Sequence, residues 1–80
     1  MLETGSVVRS LAGRDKDSLL AVVKAENDAV YVCDGGERPL ERPKRKNPRH
    51  LCDTGMKLPM QTVGSNKALR KALAGFAESV

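Results

Sequence analysis

Hydrophobic and polar positions along this 80-residue chain follow two regimes: short alternating or apolar runs, then a single helical period near the end. Gly5 to Val23 reads as strand, glycine loop, strand. Val7, Arg9 and Leu11 alternate with Val8 and Ser10, the two-residue period of a half-buried pleated strand. Ala12 to Asp17 breaks that pattern with a glycine and three consecutive charges, Arg14, Asp15 and Lys16. Leu19 to Val23 resumes a nearly continuous apolar run, too short for an ordinary buried helix, so a second strand is predicted. Glu26-Asn27-Asp28 is a turn, because Asn and Asp side chains bond nearby backbone groups. Ala29 to Cys33 is a third strand, with Val30 and Val32 on one face and Tyr31 on the other. Asp34-Gly35-Gly36-Glu37 carries a hairpin signal, and Arg38 to Leu40 is expected to return as a short strand.

Pro43 and Pro48 bracket Lys44-Arg45-Lys46-Asn47, which makes this basic run an extended edge or loop and not a helix. Arg49 to Cys52 is expected to rejoin the sheet. Asp53 to Gly64, with Leu58, Met60 and Val63 around Pro59, adds one short strand or wraps the barrel. Ser65 or Asn66 caps a helix over about 66–78. Its spacing gathers Leu69, Ala72, Leu73 and Phe76 on one face, with Val80 beyond, and puts Lys67, Arg70 and Lys71 on or near the opposite one. Gly75 weakens that helix by up to about 1 kcal/mol relative to alanine, so it needs to dock to persist. The expected fold is mainly β: one domain over residues 1–80, a small closed or nearly closed barrel over about 5–63, and a terminal α-helix.

Net charge is +4, but its distribution says more. Residues 1–37 hold four basic and seven acidic side chains, residues 38–50 six and one, and residues 51–80 four and two. Such a concentration suits a polyanion-binding surface, and it equally suits a solvated charge run. The basic face of the terminal helix reads first as a solvated outer face and second as an extension of a binding surface. No apolar run approaches membrane-spanning length, and Met1-Leu2-Glu3-Thr4 leads straight into the first strand, so a cytoplasmic protein without membrane association is expected.

At the glycine loop the residues resemble a known family. Gly5-x-Val7-Val8-x-Ser10-Leu11-Ala12-Gly13-Arg14-Asp15-Lys16 is similar to the KOW motif. That motif occurs in large-subunit ribosomal proteins and in the transcription elongation factor NusG and its relatives. Asp34-Gly35, Arg38-Pro39-Leu40, the run Lys44 to Arg49 and His50-Leu51 resemble the ribosomal KOW proteins of the L-fourteen-e, L-six-e and L-twenty-seven-e group and their short bacterial relatives. The similarity covers roughly residues 5–54. It implies an SH3-like barrel and binding to RNA, ribosomal RNA above all. One position departs from the family: Asp17 stands where the family repeats glycine, and aspartate tolerates a left-handed backbone better than most residues.

Chemistry-bearing residues point away from catalysis. His50 is the single histidine and has no serine or cysteine spaced to act with it. The glycine loop lacks the GxxxxGK[ST] pattern of a phosphate-binding loop. Cys33, His50 and Cys52 offer at most three ligands, short of a closed tetrahedral metal site. No enzyme activity, cofactor, metal or small-molecule substrate is therefore expected. Peptide-reading barrels and single-strand binders need several aromatic platforms, and this chain has only Tyr31 and Phe76. Contact with phosphates and sugars of structured RNA remains. Gly13, Arg14 and Lys16 would act from the loop, and Arg38, Arg42, Lys44, Arg45, Lys46, Arg49 and His50 from the basic edge. The expectation is a non-enzymatic, ribosome-associated RNA-binding protein, monomeric when free. The alternative is an elongation-factor-like module that contacts RNA polymerase or another protein.

Overall fold

The unbroken apolar run near residue 20 becomes a strand buried on both faces. The structure is a computed structural model describing residues 2–79, with side chains described for residues 2–77; Val80 lies outside the described residues. Strands β1 (Ser6–Ser10), β2 (Leu19–Ala25), β3 (Val30–Cys33), β4 (Lys44–Lys46) and β5 (Leu51–Lys57) are followed by helices α1 (Met60–Val63) and α2 (Asn66–Ser79). A single turn of 3-10 helix, Pro48–His50, joins β4 to β5. The strands form one antiparallel sheet in the order β4-β3-β2-β1-β5. Strands β1 to β4 form a meander and the fifth strand, β5, crosses back to pair with β1; this is the barrel-like arrangement expected, and the fold is mainly β with a C-terminal helix.

Alternation along each strand sorts the core into two layers. Val8, Leu20, Val22, Val30, Val32 and Leu51 pack together on one side. On the other side Val7, Ala21 and Cys33 pack with Leu58, Val63, Leu69 and Leu73. β1 is therefore not the half-buried strand its period predicts. Val7, Val8 and Ser10 are all fully buried, because α1 and α2 cover the face that would otherwise meet water.

Two stretches differ from expectation. Arg38 to Leu40 forms no strand, because Asp34 closes the chain on itself. Its carboxylate accepts from the N–H groups of Gly36 and Arg38, and the Arg38 carbonyl accepts from those of Asp34 and Gly35. Arg49 and His50 lie in the 3-10 turn, not the sheet. Pro48 starts that turn and the Asn47 side chain caps it by accepting from the Arg49 N–H. Leu51 and Cys52 do rejoin the sheet, and the strand they begin is longer than expected. Between Val8↔Asp53 and Ser6↔Lys57 it bulges outward, which breaks up an otherwise open edge.

α2 begins where expected. The Ser65 hydroxyl accepts from the Ala68 N–H at 3.3 Å. Asn66 instead reaches sideways, accepting from the Leu40 N–H at 2.8 Å and donating to Glu41. The 34–37 turn presses against the same end of the helix. Gly35 has φ of +82°, and a Cβ there would lie 2.3 Å from the Asn66 carbonyl oxygen, so only glycine fits. Leu69 and Leu73 are buried, and Ala72 and Phe76 pack at the margin. Lys67, Arg70 and Lys71 are exposed.

Docking of α2 is thus part of the core. Leu73→Ala is expected to destabilise the whole domain by about 2–3 kcal/mol, the cost of truncating a buried leucine. Urea unfolding checks this, and a wild-type midpoint would mean that the helix is dispensable to the sheet.

Candidate nucleic-acid interface

A Lys-Arg-Lys triplet in a strand cannot present all three side chains to one side. In β4, Lys44 lies opposite Val32 and Lys46 opposite Val30, so both share the inward-facing parity of those valines. Arg45 lies opposite Tyr31 and points outward. Accordingly Arg45 is exposed, Lys44 is half-buried and Lys46 is only 7% exposed.

Lys46 crosses from the edge strand to the glycine loop. Its ammonium donates to the Ser10 hydroxyl at 3.0 Å, the Ala12 carbonyl at 3.0 Å and the Asp15 carboxylate at 2.9 Å. An ammonium has three N–H donors, so all are engaged. Ser10, itself fully buried, in turn donates to Asp15 at 2.8 Å. Lys44 forms a looser ion pair with the second Asp15 oxygen at 3.5 Å. Partial burial pushes the Asp15 carboxyl upward. Hydrogen bonds from Lys46 and Ser10 and the charges of Lys46 and Lys44 outweigh that effect and lower its pKa from 3.8 to about 2. Lys46 was among the residues expected to touch RNA; the structure instead makes it an internal tie. Lys44 spends part of its charge in the same place.

The loop wraps around this ammonium. Gly13 has φ of +88°, and a Cβ there would come 3.7 Å from the Lys46 nitrogen, an ordinary contact. Left-handed backbone, more than crowding, is what favours glycine at this point. Asp17 also holds a left-handed backbone, with φ of 72°. It donates its N–H to the Ser10 carbonyl, and its own carbonyl accepts from Arg9. Aspartate thus holds here a conformation that glycine adopts more readily. With the backbone turned inward, the Arg14 and Lys16 side chains are exposed.

Four segments meet here. The Leu11 N–H donates to the His50 carbonyl at 2.8 Å, which sets the exposed Arg49 and His50 beside the start of the loop. Arg14, Arg38 and Lys44 line one open cleft of about 470 Å³ together with Asp15, Asp34 and Glu37. The cleft is mixed in charge. Arg45 and Arg49 are exposed outside it. Arg42 is exposed in the turn that precedes β4. The roles of Asp15 and Ser10 are not evident from the local sequence around them. Strand parity at Lys44 and Lys46 is the signal that could have found them.

Cys33 is buried and Cys52 exposed. Burial pushes the Cys33 thiol up to about 11, with Asp34 and Glu41 adding to the effect, so it behaves as a small core residue. Among the described residues no group of three or more His, Cys, Asp or Glu side chains could hold a metal ion, and no helix is long and apolar enough to cross a membrane. No protein-family model matches the chain, and no curated protein matches it.

The depressed Asp15 pKa has a defined sign. A carboxylate held below its unfolded value stabilises the fold above about pH 4, and that contribution is lost as pH falls towards 2. Allowing for solvent screening, the loss is on the order of 1 kcal/mol. Asp15→Asn is expected to be less stable than wild type at pH 7 and to lose less between pH 4 and 2. Urea titrations at both pH values check it, and parallel losses in the two proteins would contradict it.

Proposed function

We propose that this chain is a non-enzymatic RNA-binding module of the cytoplasm that acts on or near the ribosome and contacts the phosphates and sugars of structured RNA. The observation that carries this reading is that the glycine loop is tied to β4 by the Lys46 ammonium and to the 3-10 turn by the Leu11–His50 backbone hydrogen bond. These ties gather exposed Arg14, Lys16, Arg45 and Arg49 from three separate segments. Exposed cations on segments tied to one another can contact several phosphates of one RNA. Arg38, Arg42 and His50 stand at the margins of this set. The preference for RNA, and for ribosomal RNA, rests on the similarity of residues 5–54 to the ribosomal KOW proteins.

Affinity for a structured RNA should fall steeply with salt. Four or five neutralised phosphates correspond to a slope of log K against log[salt] near −3 to −4. The informative variant spares Lys46, whose loss would disturb the fold. Replacing Arg14, Arg45 and Arg49 together by glutamine is expected to weaken binding and flatten the slope by about two to three units. Stability should change little, because these side chains are exposed. Matched and scrambled duplexes should be affected alike, since phosphate contacts carry no sequence information. Unchanged affinity and slope in a folded triple variant would overturn the proposal.

A further inference from the structure

The outward face of the sheet carries a feature that the phosphate-contact reading does not use. Tyr31 is the chain's single tyrosine, and there is no tryptophan. It points away from the core layer of Val30 and Val32 and is half-buried. In the antiparallel register it stands between two cations, Lys24 on β2 and Arg45 on β4. Directly opposed residues share one face of a sheet. The Lys24 ammonium sits over the Tyr31 ring, 5.6 Å from its centroid. The Lys24 side chain is itself 66% exposed and pairs with Glu26 at 3.6 Å. A lysine so exposed can swing aside and yield that ring face to another planar group.

We infer that Tyr31, flanked by Lys24 and Arg45, is a stacking platform for one unpaired nucleobase of the bound RNA. The inference rests on the RNA-binding reading above and adds a second kind of contact to it. An aromatic face flanked by cations matches the chemistry of a single nucleotide. The ring stacks on the base, and the two positive charges meet the phosphates on either side. Bases stacked inside a duplex have no free face, so the ligand is a nucleotide in a loop, bulge or end. A single platform accommodates one base and not a single-stranded tract, in keeping with the scarcity of aromatics elsewhere. Arg45 belongs both to this face and to the exposed cation array, so the platform borders the phosphate-binding surface.

With one tyrosine and no tryptophan, intrinsic fluorescence reports on position 31 alone. The test titrates the full chain with two RNAs of equal length, a hairpin with an unpaired purine loop and a fully paired duplex. Binding of the hairpin is expected to quench the tyrosine emission, while the duplex binds without quenching. Tyr31→Leu keeps apolar bulk and removes the ring. It should weaken hairpin binding by about tenfold, within the range for one stacked base, and leave duplex binding and the salt slope unchanged. Tyr31→Phe should bind like wild type. Hairpin binding without quenching overturns the inference and leaves the proposed function standing, as does equal weakening of both RNAs by Tyr31→Leu. Failure of wild type to bind either RNA overturns both. Should Tyr31→Leu not fold, the wild-type quenching and the Tyr31→Phe affinity decide the matter.

Discussion

One buried ammonium holds the architecture together. The sheet order leaves β4 and β5 as its two edges, and no ladder joins them. What draws β4 towards the opposite side is Lys46, whose three donors end on Ser10, Ala12 and Asp15 at the far end of β1 and in the loop beyond it. A charge removed from water is costly unless it is paired and fully hydrogen-bonded. Here both conditions hold, and among the described residues no buried side-chain nitrogen or oxygen lacks a hydrogen-bond partner. Removing either partner would strand the other.

The same tie links fold to surface. Because Lys46 fixes the loop to the edge strand, Arg14 and Lys16 take up positions relative to Arg45 that neither segment would set alone. The loop conformation that surrounds the ammonium depends on left-handed backbone at Gly13 and Asp17. The chain thus uses one lysine and one aspartate inside its most charged region as internal structure, and these residues orient the cations that face outward. On the other side of the sheet, α2 completes the second core layer, and Asn66 and Gly35 fix where it starts.

Much of this was legible in the residues. Period-two alternation marked β1 and β3, a short apolar run marked β2, and helical spacing at Leu69, Ala72, Leu73 and Phe76 marked α2. Asp-Gly marked the turn after Cys33. Proline spacing around residues 43–48 marked an extended edge. The missing strand at Arg38–Leu40 was not legible, because the Asp34 carboxylate imposes a side-chain-built turn on a segment whose composition suits either state. Burial of Lys46 was hidden for another reason. A run of like charges reads as solvated, and only the register with Val30 and Val32 reveals which of its members face inward. The setting of Tyr31 between Lys24 and Arg45 likewise depends on pairing with residues 7 and 14 positions away in the chain. Such pairings come from topology and not from local pattern.

The most direct measurement compares the unfolding free energies of Lys44→Gln and Lys46→Gln, two identical changes of charge two residues apart. If Lys46 is the internal tie, its replacement leaves Asp15 partly buried without its main counter-ion. The expected cost is then about 3 kcal/mol or more. Lys44→Gln loosens only a long, partly exposed ion pair and should cost less than about 1 kcal/mol. Equal and small losses would contradict the account and return Lys46 to the solvated charge run.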